Sequence, residues 1–304
     1  MVYDLVIIGQ GPAGLSAGIY ASRYKLKTLI LSEEPGGTAT HAYKIENYPG
    51  FNSISGMDLM RKFREQINDS VEIKQEKVIE LKKDDLFIVT TDKGIYKSKT
   101  IIVAAGTKRR ELNIPGEHEF LGKGVSYCAT CDAMFFKDKR VAVVGGNDAA
   151  AMSAMLVSEY ADEVFILYRK EKIRAEPKKV EMIENNKKIK IINNTNVIEI
   201  KGNNMVESLA LDNKYNESNE LNVDGVFIEI GSVPSTVLTN KTGVNLDENG
   251  YIVVDEGMKT NINGFYAAGD ITTGSNKFWQ IITAASEGAI AAKSAYDFLK
   301  NGNV

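Results

Sequence analysis

The sequence predicts an α/β protein of two Rossmann-like domains, each a three-layer ββα dinucleotide-binding unit, with the second inserted into the first. Two short apolar runs that end in glycine turns indicate this, one over Val2–Gly14 and one over Val141–Gly146. Each is typical of the start of a nucleotide-binding βα unit, where a parallel strand leads through glycines into a helix. Similar elements follow both starts, so the chain contains two copies of one design.

The first copy continues through a helix over Pro12–Tyr24 and a parallel strand over Lys27–Leu31, which a glycine turn follows. Short β-type runs between Val71 and Ser98 predict a small antiparallel meander. A buried strand over Ile101–Gly106 then closes the unit.

The second copy repeats this order after Val141. A helix runs to about Tyr160, a strand covers Val164–Tyr168, β-type runs extend from Ile189 to Leu211, and a last strand covers Val226–Gly231.

The tail of the chain predicts two more strands, Tyr251–Val254 and Gly264–Asp270, and a long closing helix over Phe278–Leu299. We expect this tail to return to the first domain, so that the two crossings between the domains form a hinge. The predicted domains are residues 1–114 plus 243–304, and residues 115–242.

Composition excludes several classes of protein. A chain of 304 residues with 43% hydrophobic residues can build two domains of ordinary size. With 37 Lys plus Arg against 40 Asp plus Glu, it has no basic field for nucleic acid. No apolar run approaches the ~18 residues that cross a bilayer. Asp4 stands where a signal peptide would carry basic residues, so we expect a cytoplasmic location and no membrane contact.

The only two cysteines, Cys128 and Cys131, form a Cys-x-x-Cys with Asp132 directly behind. Two thiols at that spacing can close a reversible disulfide, and the thiolate is the reactive form. Asp132 is placed to move protons to or from the dithiol. Zinc would need four ligands, but the only histidines, His41 and His118, lie far away in the sequence, so we expect no metal site.

The first glycine turn is a complete G-x-G-x-x-G. Its glycines permit a tight turn, close approach of the backbone to a pyrophosphate, and close packing of helix on strand. A ribose-binding carboxylate is expected at the end of the second strand, from Glu33 or its neighbour Glu34. The turn residues expected to bind a dinucleotide are Gly9, Gly11, Pro12, Ala13 and Gly14.

The second glycine turn is incomplete, since Asn147 stands where the second motif glycine should be. Its side chain would crowd a pyrophosphate unless the backbone shifts. The basic run after the next strand suits a 2′-phosphate and favours NADPH over NADH, the alternative being cations on a solvated loop. The residues expected to bind NADPH are Gly145, Gly146, Asn147, Asp148, Ala149, Arg169, Lys170 and Arg174.

Taken in order, these motifs resemble those of the low-molecular-weight thioredoxin reductases over essentially the whole chain. The most specific element is Cys128-Ala-Thr-Cys131-Asp132; the others are the first glycine turn, Gly36-Gly37-Thr38, Ile45–Gly50, the run Arg169–Arg174 and Gly269-Asp270. Larger disulfide reductases carry their cysteines near the first glycine turn and a His-Glu pair near the C-terminus. This chain has no cysteine before Cys128 and no histidine after His118.

The resemblance implies a homodimeric thioredoxin-disulfide reductase of the NADPH-dependent type. Electrons would pass from NADPH through FAD and the dithiol to thioredoxin or a glutaredoxin-like protein. Cys131 would face the flavin and Cys128 would attack the partner disulfide, while the domains alternate between two orientations. The resemblance implies that residues 1–114 plus 243–304 form the FAD-binding domain, and that residues 115–242 form the NAD(P)H-binding domain that carries the Cys-x-x-Cys. Besides the first turn and Glu33, the implied FAD residues are Gly36, Gly37, Thr38, Asn47, Gly106, Gly269, Asp270, Gln280 and Ile281.

Three departures from the family pattern concern the electron donor. Asn147 replaces a glycine, Tyr168 and Lys170 alter the usual His-Arg-Arg, and Trp279 stands where an arginine is usual. A second hypothesis is therefore the same disulfide chemistry with NADH, reduced ferredoxin or another carrier as donor. A third, a non-catalytic nucleotide-binding redox sensor, conflicts with the complete Cys-x-x-Cys-Asp.

Overall fold

The computed structural model describes residues 1–42, 45–67, 69–239 and 241–302. The chain divides into two compact units: Met1–Lys108 with Val233–Val304, and the inserted Arg109–Ser232. These crossings come earlier than the predicted boundaries at 114/115 and 242/243. That the first unit binds FAD and the inserted unit binds NAD(P)H stays a prediction.

The first unit begins with a strand, the glycine turn and a helix, followed by strands that lead to the first crossing. Its elements are β1 (Val2–Ile8), α1 (Pro12–Arg23), β2 (Thr28–Ser32), α2 (Gly56–Glu65), β3 (Val71–Gln75), β4 (Val78–Lys83), β5 (Phe87–Thr91), β6 (Ile95–Val103) and the crossing strand β7 (Thr107–Arg109).

The inserted unit repeats the strand, turn and helix order. Its elements are β8 (Val125–Ser126), α3 (Ala129–Asp132), β9 (Arg140–Val144), α4 (Asp148–Ser158), β10 (Glu163–Leu167), α5 (Pro177–Glu184), β11 (Ile189–Ile192), β12 (Val197–Gly202), β13 (Val206–Tyr215), β14 (Ser218–Asn222) and β15 (Gly225–Ile228). The chain then returns through β16 (Ser232–Pro234), which pairs with β7, to β17 (Phe265–Ala267) and α6 (Ile281–Lys300).

The sheet of the first unit has the order β3-β2-β1-β6-β5-β4, with β17 also on β6. The first half of β6 pairs antiparallel with β5 and the second half pairs parallel with β17. One face of the parallel strands packs on α1 and α6 through residues such as Leu5, Ile7 and Ile30. The other face is covered by the meander, which gives three layers. Gly288 on α6 lies so close to Ala13 that a Cβ would meet its carbonyl oxygen at 2.0 Å.

The sheet of the inserted unit is wholly parallel, in the order β11-β10-β9-β15-β8. The antiparallel sheet β12-β13-β14 covers one face and helices cover the other. Strands buried on both faces are near-continuous apolar runs, as in Val141–Val144. Two such units confirm the predicted fold class.

Three predicted elements were wrong in detail. Val71–Gln75 is not part of the meander but pairs parallel with β2, because its alternating Val71 and Ile73 pack in the helix-side layer. Tyr251–Val254 forms no strand, only single bridges from Ile252 to Leu246 and to Thr272. The closing helix begins at Ile281 rather than at Phe278.

Candidate redox-active and nucleotide sites

Cys128 and Cys131 form a disulfide with their Cα atoms 5.3 Å apart. Cys128 is the N-cap residue of the short α3, which follows β8, and Cys131 lies within that helix. Cys128 is half-buried and Cys131 is exposed. The N–H of Cys131 lies 3.3 Å from Cys128 Sγ, so after reduction it can stabilise a thiolate on Cys128. The predicted disulfide pair is therefore present, and its loop reaches solvent.

Asp132 is held in the redox loop by a serine that the sequence reasoning missed. The Ser126 hydroxyl donates to Asp132 Oδ2 at 2.6 Å, and the Cys128 N–H donates to Ser126 Oγ at 3.0 Å. Ser126 ends β8 and is 3% exposed. No motif marks a lone serine two residues before a cysteine as functional.

A second unpredicted group, Glu117, anchors the other side of this loop. Its fully buried carboxylate accepts hydrogen bonds from the N–H groups of Leu112 and Asn113 and from the Tyr127 hydroxyl at 2.6 Å. Burial, and then the bond to Glu117, raise the pKa of Tyr127. The residue before Cys128 is thus fixed to the segment that enters the inserted unit.

In the first turn, packing excludes a side chain at Gly9 and Gly14 but not at Gly11. A Cβ on Gly9, which has φ 113°, would lie 2.1 Å from the Ala104 carbonyl oxygen, and one on Gly14 would lie 2.0 Å from that of Gly9. Gly11 has an ordinary φ of −76°. Among the described residues beyond its chain neighbours, the one atom within 4 Å of its Cβ position is the Gly36 carbonyl oxygen, at 3.9 Å. The space beside Gly11 is open, and no side chain caps α1 there.

Two further predicted segments lie against this turn. A Cβ on Gly37 would lie 3.2 Å from the Gly11 Cα, and one on Gly269 would lie 3.0 Å from the Ala13 Cβ. Gly36 and Gly37 have φ 79° and 59°, which favours glycine at both. Thr38 follows in a 3₁₀ turn over Gly37–His41. The structure thus brings Gly36-Gly37 and Gly269 to the first glycine turn.

Asp270 follows Gly269 in a loop that is hydrogen-bonded to Glu287 of α6. The buried Glu287 accepts from the Gly269 N–H at 2.7 Å and from the Thr272 hydroxyl at 3.1 Å. Burial, and then the nearby charge of Glu287, raise the pKa of Asp270 to about 6. Glu287 carries no sequence signal, because it lies within an otherwise ordinary helix.

Three further predicted FAD residues form a second group at the start of α6. Asn47 Nδ2 donates to Gln280 Oε1 at 2.9 Å, and Gln280 caps α6 just before Ile281. The unusual Trp279 stacks on Tyr251 with ring centroids 4.8 Å apart.

Two predicted FAD residues, Gly106 and Glu33, belong to neither group. Gly106 has φ 60° with open space around its Cβ position. The Glu33 carboxylate is exposed and pairs with Lys77 at 3.1 Å. The side chain of His41 lies outside the described residues.

These residues fit a bound FAD. The helix start at Gly11 leaves room and free N–H donors for a pyrophosphate. Gln10 lies in the same turn, and its buried Nε2 has no partner among the described residues. A polar group buried without a partner is costly, so a ligand atom there would satisfy it.

In the second glycine turn, Tyr168 occupies the space above Gly146. A Cβ on Gly146 would lie 2.4 Å from the Tyr168 ring. Tyr168 is 5% exposed, and its buried hydroxyl has no partner among the described residues. Gly145, with φ 151°, is required by packing on the Glu229 carbonyl oxygen.

Asn147 sits at the start of α4, where Gly11 sits at the start of α1. Its Oδ1 accepts from the Ala150 N–H at 2.9 Å, so the side chain caps the helix. One donor that is free in the first turn is therefore used internally in the second. Ala149 lies in the same first turn of α4.

The basic run is tied to this turn by its backbone. The Arg174 N–H donates to the Gly146 carbonyl at 2.6 Å, and the Glu176 N–H donates to Asp148 Oδ1 at 2.7 Å. Asp148 also pairs with Lys179 at 3.0 Å. Arg169, Lys170 and Arg174 are exposed and form no ion pair within the part of the chain that the structure describes.

Glu229 is an unpredicted carboxylate at the end of β15. It accepts from the Ser153 hydroxyl at 2.8 Å, and Arg109 Nη1 lies 3.8 Å away. Burial raises the pKa of Glu229. No sequence signal marks Glu229, because glutamate at the end of an apolar strand is ordinarily exposed.

The profile of the family described as pyridine nucleotide-disulphide oxidoreductase matches residues 3–288. The chain belongs to this family. It is 41% identical over 302 residues to a thioredoxin reductase of Treponema pallidum (strain Nichols), covering 98% of this chain and 97% of that protein.

Solved structures also show a resemblance to thioredoxin reductases. The chain resembles Lactococcus lactis thioredoxin reductase with 36% identity and a TM-score of 0.93, over 98% of this chain and 99% of that one. It also resembles a ferredoxin-flavin thioredoxin reductase from Clostridium acetobutylicum, with 34% identity, a TM-score of 0.53 and 99% of both chains covered. The resemblance seen in the motifs is confirmed: the chain is a flavoprotein oxidoreductase of the thioredoxin reductase type.

No helix in the described ranges is both long enough and apolar enough to span a bilayer. Among the same residues, no group of three or more His, Cys, Asp or Glu side chains is placed to hold a metal ion.

Proposed function

We propose that the protein is an NADPH-dependent thioredoxin-disulfide reductase. Electrons would pass from NADPH through FAD to Cys128–Cys131, and from there to the disulfide of thioredoxin or a glutaredoxin-like protein. The observation that carries this is the disulfide on a solvent-reaching loop that also holds Asp132. FAD, when bound, supplies the two-electron carrier between the nicotinamide and the disulfide.

For the dithiol we propose the two roles expected from the resemblance. The Cys128 thiolate attacks the partner disulfide, forming a mixed disulfide and releasing one partner thiolate. The Cys131 thiolate then attacks Cys128 Sγ, which restores the Cys128–Cys131 bond and releases the second partner thiolate. Two partner thiolates must each take up a proton, and Asp132 would deliver protons at this loop. The Cys131 N–H directed at Cys128 Sγ supports thiolate character on Cys128.

For the donor, the basic run supports NADPH. Its cations are exposed, and its backbone is fixed to Gly146 and Asp148, so they lie beside the start of α4. The 2′-phosphate is the group that distinguishes NADPH from NADH, and arginine binds phosphate in bidentate fashion. Arg169, Lys170 and Arg174 are the proposed ligands.

A second candidate is the same disulfide chemistry with NADH, reduced ferredoxin or another carrier as donor. Two observations favour it: Asn147 caps α4, and Tyr168 lies on Gly146. Both reduce the room and the donors that a pyrophosphate would use. A ferredoxin-flavin thioredoxin reductase is also among the proteins of similar structure.

Anaerobic titration of the purified flavoprotein with NADPH, NADH and reduced ferredoxin decides between these candidates. Bleaching of the flavin band by NADPH at micromolar concentration supports the first. Bleaching by ferredoxin alone, with NADPH inactive at millimolar concentration, supports the second. If neither a thioredoxin nor a glutaredoxin-like protein is reduced with any donor, both candidates are wrong.

We also propose that the protein is a homodimer, as the resemblance implies, and that it acts in the cytoplasm. Light scattering coupled to gel filtration tests the first, since a mass near the monomer's 33.4 kDa would contradict it. Fractionation of the source cells tests the second.

A further inference from the structure

We propose that Ser126 is a positioning residue that fixes Asp132 and the Cys128 backbone for proton transfer at the dithiol. This inference rests on the proposed role of Asp132. It concerns a residue outside the Cys-x-x-Cys-Asp motif, and two hydrogen bonds of one hydroxyl carry it.

The backbone of Ser126 is rigidly placed. β8 pairs parallel with β15, where Ser126 lies opposite Phe227, and Phe227 is fully buried. Ser126 itself is 3% exposed, so water has almost no access to it. A side chain on such a strand is held more precisely than one on a loop.

The single hydroxyl proton has two acceptors within reach. Asp132 Oδ2 lies at 2.6 Å and the Cys128 carbonyl oxygen at 3.4 Å. The shorter bond to a carboxylate is the stronger one, so the proton goes to Asp132. The oxygen lone pair is then free for the Cys128 N–H at 3.0 Å. One hydroxyl thus links the carboxylate to the backbone of the first cysteine.

This link matters for proton transfer because Asp132 has no other hydrogen bond from a side chain in the described residues. Without Ser126 the carboxylate would turn freely about its side-chain torsions at the end of α3. When the Cys128–Cys131 bond accepts an electron pair, it becomes one thiolate and one thiol, and the thiol needs one proton. Asp132 can relay that proton from solvent to the thiol. A small displacement of such a group reduces the rate of transfer.

The matched control is Ser208, another buried serine of the inserted unit. It is 5% exposed, and its hydroxyl donates to the Glu220 carboxylate across β13 and β14. Ser208→Ala therefore removes a serine–carboxylate bond of the same kind and leaves the redox loop intact. Its effect on the rate therefore measures what the loss of a buried serine–carboxylate hydrogen bond does to the fold alone.

The test uses the flavin-loaded protein, reduced with dithionite so that the physiological donor is not needed. Stopped-flow mixing with oxidised thioredoxin gives the maximal rate of flavin reoxidation and the thioredoxin concentration at half that rate. We expect Ser126→Ala to lower the maximal rate about tenfold and leave the half-saturating concentration unchanged. Ser126→Thr, which keeps the hydroxyl, should retain most of the rate, and Ser208→Ala should match the wild type.

A double-mutant cycle shows whether Ser126 acts through Asp132. In Asp132→Asn the additional change Ser126→Ala should have no further effect on the maximal rate. If Ser126→Ala reacts at the wild-type rate while Asp132→Asn is slow, this inference is wrong and the role of Asp132 stands. If Asp132→Asn reacts at the wild-type rate, the proposed role of Asp132 is wrong as well. An equal loss in Ser208→Ala would overturn the inference, because the effect would then be structural.

Discussion

Replacing Asn147 by glycine should tighten NADPH binding, because the Asn147 side chain occupies a helix donor that a phosphate group would use. Its Oδ1 accepts from the Ala150 N–H at 2.9 Å. At the matching position of the first turn, Gly11 leaves the start of α1 uncapped. Asn147→Gly makes the second turn like the first in this respect.

The magnitude follows from two opposing terms. Glycine is itself tolerated at a helix N-cap, so the change should cost only a few tenths of a kcal/mol in stability. A hydrogen bond from an N–H to a charged phosphate contributes about 1.5–3 kcal/mol, and the cap that it displaces in the wild type is worth about 1 kcal/mol. The net gain of about 0.5–2 kcal/mol corresponds to roughly a two- to thirtyfold lower KM for NADPH.

The assay is anaerobic flavin reduction at varied NADPH concentration, with thermal unfolding measured on the same samples. Asn147→Ser is the matched control, since a serine hydroxyl can also cap Ala150 and should give no gain. If Asn147→Gly leaves the KM for NADPH unchanged while the protein stays folded, the cap does not limit binding, and Tyr168 becomes the main obstacle.

Five further substitutions test the remaining sites. Gly11→Val should fold, since the nearest atom is 3.9 Å from the Cβ position, but should lose flavin absorbance; full flavin content would remove the basis for this site. Arg174→Ala should raise the KM for NADPH roughly tenfold or more without changing that for NADH, and equal changes would exclude a 2′-phosphate contact. Cys131→Ser should abolish thiolate-to-flavin charge-transfer absorbance and Cys128→Ser should retain it, and reversed spectra would exchange the two roles. Since burial raises the pKa of Asp270 from 3.8 to about 6, its protonated form is favoured by folding, and flavin-free protein should lose stability as pH rises across that interval. Asp270→Asn should flatten this dependence in thermal unfolding, and an unchanged profile would contradict it.

Much of the fold could be predicted because glycine turns and apolar runs are local signals. Val2–Gly14 and Val141–Gly146 predict the starts of two βα units, and in the structure each strand leads through a glycine turn into a helix. Pairing partners depend on distant residues, so the local pattern of Val71–Gln75 predicts a place in the meander although the strand pairs parallel with β2.

The site residues likewise divide into those that a local motif predicts and those that only the fold brings together. The Cys-x-x-Cys-Asp is contiguous, and the disulfide follows from its spacing. Ser126, Glu117 and Glu287 are single polar residues whose importance comes from groups that the fold brings to them. In the sequence Tyr168 is only a departure from a motif, because its packing on Gly146 depends on the three-dimensional structure.

The most direct test of the central claim is donor-independent transfer of electrons to thioredoxin. Wild-type protein and Cys128→Ser are reduced anaerobically with dithionite, freed of excess reductant, and mixed with oxidised thioredoxin while flavin absorbance and new thioredoxin thiols are measured. The wild type should recover its oxidised flavin band and form at least two thioredoxin thiols per flavin. Cys128→Ser should keep its flavin reduced and should not complete the reduction of thioredoxin to its dithiol. Flavin that stays reduced in the wild type, or equal thiol formation in both proteins, would contradict a path through Cys128–Cys131.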